Sequence, residues 1–122
     1  MSGVLTFVET SRALPFVSVV VSFRSGSVHD PAGREGTSRI CARMLRRGCE
    51  GYTKEKIEET IDSLGAEFGA DTLMSGTTAS YEVIRRSLDP VTDLVATMLA
   101  KPTFAEDEIA RLLREARAEL IE

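Results

Sequence analysis

Tryptophan is absent from this sequence, and the other aromatic residues are scarce. Only 6% of the 122 residues are aromatic, although 43% are apolar. A chain of this length can bury one compact core. That core must be built chiefly from aliphatic side chains, and the sequence predicts a single domain over residues 1–122.

Long apolar runs and an excess of positive charge are also missing. No stretch approaches the ~20 apolar residues that a membrane-spanning helix needs, so we expect no membrane span. The net charge is −4, from 15 basic and 19 acidic residues, which does not favour nucleic-acid binding. The first ten residues contain no basic segment and no long apolar stretch. We therefore predict no signal peptide in this sequence, and both cytoplasm and periplasm stay open as compartments.

Cysteine and histidine are too few to build a metal site of their own. Cys41 and Cys49 stand eight residues apart, which is roughly 12 Å if both lie on or just beyond one helix. That separation is too long for a disulfide, so free thiols and a reducing compartment are indicated. His29 is the only histidine and falls in a glycine-rich loop, where a solvated residue is expected because a lone histidine cannot build a zinc site.

Alternating and helical apolar patterns predict an α+β fold. The expected order is ββααββαα, with an antiparallel sheet and helices packed on one face. The strands are predicted at 3–9, 16–24, 66–74 and 77–85, and the helices at 37–47, 54–64, from 89 to 101 and from 104 onward. The strand at 16–24 is expected to have one well-buried face.

Several helix boundaries follow from capping residues. Thr53 is a predicted N-cap, Gly65 a predicted C-terminal stop, and Asp89-Pro90 a predicted helix start. In the last helix, five residues are expected to carry the packing: Ile109, Leu112, Leu113, Ala116 and Leu120. That helix reaches Glu122 without a stop signal, so we expect the sequence to be truncated at its C-terminus.

The segment between Gly36 and Gly48 combines an apolar and a basic stripe. On a helix over 37–47, Ile40, Cys41, Met44 and Leu45 form the apolar stripe, and Arg39, Arg43, Arg46 and Arg47 the basic one. Two explanations of the basic stripe stay open. It is a solvated helix face, or its arginines meet carboxylates elsewhere in the fold.

This segment and the loop before it resemble the pitrilysin-type (M16) zinc peptidases, the family that includes the mitochondrial processing peptidase. The family motif is His-x-x-Glu-His, and the resemblance places its two histidines on Arg39 and Arg43 and its glutamate on Ala42. It places the third zinc ligand, a glutamate of a later helix, on Glu119. It also implies a fold of the LuxS/MPP-like metallohydrolase type.

The resemblance is therefore to a zinc peptidase that has lost its zinc chemistry. A guanidinium has no lone pair to give to a metal, and an alanine cannot take a proton from water. We predict no catalytic residues, no metal and no cofactor in this chain, although family members hold zinc. If Arg39 or Arg43 lies within about 4 Å of Glu119, an ion-pair pocket has replaced the metal pocket.

The function implied by the resemblance is that of a catalytically inactive M16 subunit or domain. It would bind or enclose peptide substrate together with a homologous zinc-bearing subunit or a second domain, and an exposed sheet edge could accept the peptide as an added strand. Two alternatives stay open. One is a purely structural scaffold subunit, and the other is a fragment of a zinc peptidase whose active site lies in another domain.

Overall fold

A computed structural model describes residues 6–10 and 14–121. Its five strands and four α-helices, in chain order, are β1 (Phe16–Phe23), α1 (Thr37–Met44), β2 (Gly48–Cys49), β3 (Tyr52–Thr53), α2 (Lys54–Ser63), β4 (Ala66–Thr72), β5 (Thr77–Ile84), α3 (Leu88–Ala100) and α4 (Glu106–Ile121). Short 3-10 turns lie at Ser27–His29 and Arg85–Ser87. The predicted α+β class is confirmed.

The main sheet has three antiparallel strands in the order β1-β5-β4. Helices α1 and α2 contact β4, and α3 contacts β5. One face of the sheet is buried, through residues such as Phe68, Tyr81 and Val83. On the other face Val20, Glu67 and other residues are exposed, so the helices cover one face, as predicted.

The core is aliphatic apart from two aromatic side chains of the sheet. Met98 and Ile57 are fully buried between the helices and the sheet, together with Val83. Cys49 is also buried, and burial raises the pKa of its thiol, with a smaller contribution from the charge of Glu50. Both cysteines are free, as expected.

The prediction of a strand at 3–9 is wrong for the part of that segment that the structure describes. Residues 6–9 are not in a strand, and the rest of that segment lies outside the described residues. Instead, β2 and β3 form a short hairpin between α1 and α2. The order of elements therefore differs from ββααββαα. Among the described strands β1 pairs with β5 alone. Its inner face is therefore half-buried rather than well buried as predicted, and Phe23 is 43% exposed.

The predicted N-cap and C-terminal stop of α2 are confirmed, whereas α3 begins one or two positions before its predicted start. Thr53 caps α2 by accepting a hydrogen bond from Lys56 N at 3.2 Å, and Gly65 follows the helix with a left-handed φ of 65°. Helix α3 begins at Leu88, before the predicted start at Asp89-Pro90. The 3-10 turn that precedes it runs directly into the helix, so the chain is already helical when it reaches Asp89.

Helix α4 buries fewer of its apolar residues than its sequence predicts. Leu112 is fully buried and Ile109 partly so, but Leu113 is 39% and Leu120 86% exposed. Among the described residues, α4 packs mainly on α1. The predicted burial of Leu113 and Leu120 is therefore wrong, because a helix with one packing partner buries one narrow face. None of the helices that the structure describes is long and apolar enough to cross a bilayer.

Candidate functional site

Helix α1 is held at its N-terminus by a carboxylate from the preceding loop. Asp30 accepts hydrogen bonds from the amides of Gly36 (2.8 Å) and Ser38 (2.9 Å), and from the Ser38 hydroxyl (2.5 Å). Such an acceptor satisfies helix amides that have no partner within the helix. The Ser38 hydroxyl bond is the main cause that lowers the pKa of Asp30, with further lowering by amides of α1. Asp30 thereby fixes the start of α1.

His29 lies in the same loop and takes no part in a site with the arginines. It is exposed, and its Nδ1 accepts a hydrogen bond from Gly26 N at 3.2 Å. The prediction of an exposed loop residue is confirmed.

Helix α1 ends earlier than predicted, so Arg39 and Arg43 lie on the helix and Arg46 and Arg47 lie beyond it. The helix stops at Met44 rather than at residue 47, and a turn follows. Met44 and Leu45 are buried as predicted, but Ala42 is buried at 4% exposure and Cys41 is exposed. Cys41 is therefore not part of the apolar stripe. The buried face of α1 includes Ala42 in place of Cys41, because α1 packs between β4 and α4.

Arg43 and Glu119 form a two-point contact between α1 and α4. The Arg43 Nη2 atom lies 3.1 Å from Glu119 Oε1, and Nη1 lies 3.4 Å from Oε2. This parallel arrangement is the geometry in which arginine holds a carboxylate most firmly. The ion pair that the sequence suggested is present, and it is made by Arg43. Arg39 is exposed, and among the described residues it has no carboxylate within 4 Å.

A second set of ion pairs joins the turn after α1 to the same helix. Arg47 Nη2 lies 2.5 Å from Glu115 Oε2, and Arg47 Nη1 lies 3.4 Å from Glu108 Oε2. Glu108 is buried at 8% exposure and also meets Arg111 at 3.0 Å. Glu108 has no distinguishing signal in the sequence, because it is one of several acids that favour a helix N-terminus.

The residues that the resemblance assigns to the metal site do not fit zinc. Arg39 and Arg43 offer no lone pair, Ala42 offers no oxygen or nitrogen, and Glu119 is engaged by Arg43. Within the described part of the chain, no three histidine, cysteine, aspartate or glutamate side chains are grouped so as to hold a metal ion. The guanidinium groups of this cluster suit carboxylates, and they have no lone pair to give to a divalent cation.

The fourth arginine points to the sheet. Arg46 Nη1 donates to the backbone carbonyl oxygen of Phe68 in β4 at 2.9 Å. A groove of about 340 Å³ lies beside it, lined by Arg43, Arg46, Arg47 and Lys54, and by Ala70 of β4. No sequence signal marks this contact, because a backbone acceptor looks the same at every residue.

Strand β4 is an edge strand whose outward backbone groups are only partly engaged: Phe68 O accepts from Arg46, and Thr72 N donates to Asp71 Oδ1. Beyond its end, Leu73 N donates to Gly76 O at 2.8 Å, so Leu73 faces β5. Residues alternate in an antiparallel ladder, so Ala66, Phe68, Ala70 and Thr72 direct their N–H and C=O groups away from β5. Among the described strands, none pairs with this side of β4.

Comparison with known proteins finds one family over nearly the whole chain. Residues 6–122 match the family described as "Insulinase (Peptidase family M16)". An uncharacterized zinc protease of Rickettsia bellii is 29% identical over 101 residues, which is 80% of this chain and 24% of that protein. A probable mitochondrial-processing peptidase subunit beta of Arabidopsis thaliana is 25% identical over 118 residues, which is 93% of this chain and 22% of that protein.

A solved structure supports the same relationship. The crystal structure of a peptidase M16 inactive domain from Pseudomonas fluorescens superposes with a TM-score of 0.81 at 28% identity. The match covers 86% of this chain and 26% of that one. The chain therefore spans about a quarter of the length of the relatives that it matches.

Proposed function

Because this chain belongs to the insulinase family of peptidases (family M16), we propose that it is a catalytically inactive M16 subunit or domain. In this proposal it binds or encloses peptide substrate, and a homologous zinc-bearing subunit or domain supplies the catalysis. The proposal applies to this part of the protein.

The contact between Arg43 and Glu119 is the observation that carries the proposal. If these are the second and third ligand positions of the family motif, an ion pair has replaced two of the three metal bonds. Each guanidinium would repel a divalent cation at 4 Å by about 8 kcal/mol at an effective dielectric of about 20. The buried Ala42 has no group that could activate water. The site therefore offers neither a set of metal ligands nor a base for hydrolysis.

The free edge of β4 supports a role in holding peptide. Four residues of this strand direct backbone groups outward, and none of the described strands pairs with them. An extended peptide can pair with these groups by adding a strand. The edge runs beside the groove at the end of α1, so a bound peptide would have side chains near the arginines. Binding through backbone hydrogen bonds requires no metal.

Zinc analysis of the purified chain tests the loss of the metal site. We expect no stoichiometric zinc, no change in melting temperature on adding zinc, and no hydrolysis of peptides by the chain alone. The matched variant is Arg39→His/Ala42→Glu/Arg43→His, which restores the motif beside Glu119. Ligands that bind only the folded state raise its stability, so zinc should raise the melting temperature of this variant.

Two results would overturn the proposal. One is zinc held by the unaltered chain together with turnover of a peptide. The other is failure of every extended peptide to bind the edge of β4, which would leave a scaffold role in its place.

A further inference from the structure

One of the cations that line the groove beside β4 differs from the other three in its partner. Three of its four cations face a carboxylate: Arg43 meets Glu119, Arg47 meets Glu108 and Glu115, and Lys54 meets Glu58 at 3.0 Å. Arg46 is different. Among the described residues it has no carboxylate within 4 Å, and it donates to a backbone oxygen instead. Within the described residues, Arg46 is thus the cation of the groove that a direct carboxylate partner does not neutralise.

The backbone oxygen that Arg46 holds belongs to the free edge of β4. Phe68 is one of the residues whose N–H and C=O groups point away from β5. An added strand would need this oxygen as an acceptor for one of its own amides. Arg46 therefore competes directly with a peptide for the edge, and pairing of a peptide with Phe68 would release the guanidinium.

The released guanidinium would lie close to the peptide side chain opposite Phe68. Paired residues of neighbouring strands direct their side chains to the same face of a sheet. The Phe68 side chain is buried on the face that the helices cover, so the peptide residue opposite it faces the helices and the groove. Its side chain would lie next to Arg46.

We propose that this edge selects extended peptides that carry an acidic side chain opposite Phe68. Arg46 exchanges the Phe68 carbonyl for the peptide carboxylate, so that peptide pairing gains the ladder hydrogen bond and an ion pair together. A neutral peptide frees the guanidinium without giving it a new partner, and a basic peptide adds repulsion. The inference rests on the proposed function, since it requires that β4 accepts a strand.

Fluorescence anisotropy with matched peptides tests the selection. The probe is a labelled peptide of about ten residues with strand-forming valine and threonine in alternation, with glutamate, glutamine or lysine at one central position. We expect the glutamate peptide to bind roughly two- to fivefold more tightly than the glutamine peptide, the range for an exposed ion pair. Arg46→Gln should abolish this preference, because glutamine carries no charge.

Arg39→Gln is the matched control. It removes one exposed arginine charge from α1, but Arg39 does not line the groove. The preference for glutamate should survive this change. An equal loss in both variants would overturn the proposal, because it would indicate a general effect of net charge.

Failure of the selection and failure of edge binding give different results. In Ala70→Pro the proline removes an outward N–H and leaves the ladder with β5 intact. If all three peptides bind equally and Ala70→Pro weakens them all, the edge binds peptide and the acidic preference is wrong. If no peptide binds and the backbone amides of Ala66 and Ala70 gain no protection from hydrogen exchange, edge binding itself is wrong, and the acidic preference with it.

Discussion

Two arginines at the end of α1 contact the same helix from very different surroundings. The side chains of Arg43 and Glu119 are 29% and 57% exposed, whereas those of Arg47 and Glu108 are 12% and 11% exposed. Water screens the first pair, so it fixes geometry more than stability. The second pair is shielded, so loss of one partner leaves a buried charge under-compensated.

We therefore predict that Arg47→Met destabilises the fold more than Arg43→Met does. Methionine keeps much of the aliphatic stem, so the comparison isolates the charge. The expected loss in the free energy of unfolding is about 2 kcal/mol for Arg47→Met and below about 1 kcal/mol for Arg43→Met. Urea unfolding measures both. Equal losses would contradict the different roles of the two ion pairs.

Asp30 gives the stability of α1 a pH dependence. Its folded pKa lies below the ordinary value of 3.8, chiefly because of the Ser38 hydroxyl bond. A lowered carboxylate pKa means that the unfolded chain binds more protons in this range. The stabilisation is therefore fully present above about pH 4 and is lost as the pH falls through the folded pKa.

We predict that Asp30→Asn lowers the melting temperature at neutral pH. The difference from the unaltered chain should shrink as the pH falls below 3.8 toward the folded pKa. Thermal melts across this range measure it. Asp93→Asn, an exposed site on α3, is the control for loss of one charge. A difference that stays constant down to the lowest pH would rule out the role of Asp30 as an acceptor for α1.

The elements are joined by close backbone contacts as well as by side chains. The loop before α1 lies against the turn between β4 and β5, where Ser27 N donates to Leu73 O and Val28 N to Met74 O, both at 3.0 Å. Gly26 is buried at this junction. A Cβ there would lie 2.5 Å from the carbonyl oxygens of Leu73 and Met74. The close approach of two backbones thus requires glycine.

We predict that Gly26→Ala costs about 3 kcal/mol of stability, because the atoms that it meets are backbone and cannot move aside singly. Gly69→Ala in β4 is the matched control, since a Cβ there meets nothing within 4 Å. Urea unfolding should show a lower midpoint for Gly26→Ala and little change for Gly69→Ala. Similar midpoints for both variants would mean that the loop is not held by this contact.

At the scale of the whole molecule, some surfaces make no contact with another part of the described chain. The outer edge of β4 has no partner strand in the described part of the chain, and Leu120 of α4 is 86% exposed. The chain spans about a quarter of the length of its relatives. Such surfaces suit a fold that packs against further domains or subunits, as the proposed function requires.

We predict that the chain forms a complex with a zinc-bearing M16 homologue from the same genome. The open edge and exposed apolar side chains should contribute to an interface above about 1,000 Å², the size typical of specific complexes. Size-exclusion chromatography should show the complex, and the mixture should hydrolyse peptides faster than the homologue alone. Absence of both effects would count against a catalytic partnership. A complex without any gain in activity would favour the scaffold alternative.

Local patterns in the sequence determined the fold class and most of the elements. Alternation gave β5 its inward residues, Thr53 and Gly65 bounded α2, and the helical spacing of Ile57 and Ile61 placed them in the core. These features depend on neighbours a few residues away, so the chain encodes them directly. The resemblance added Arg43 and Glu119 as a possible pair.

Only the tertiary structure decided which charges meet and which face of each helix is covered. Arg43 and Glu119 are 76 residues apart, and their contact depends on how α1 packs on α4. The exposure of Leu120 and the burial of Glu108 depend on that packing as well. The contact of Arg46 with Phe68 depends on how α1 packs on β4. Side-chain periodicity shows that a helix has an apolar face, but the partner that covers it sets how much of that face is buried.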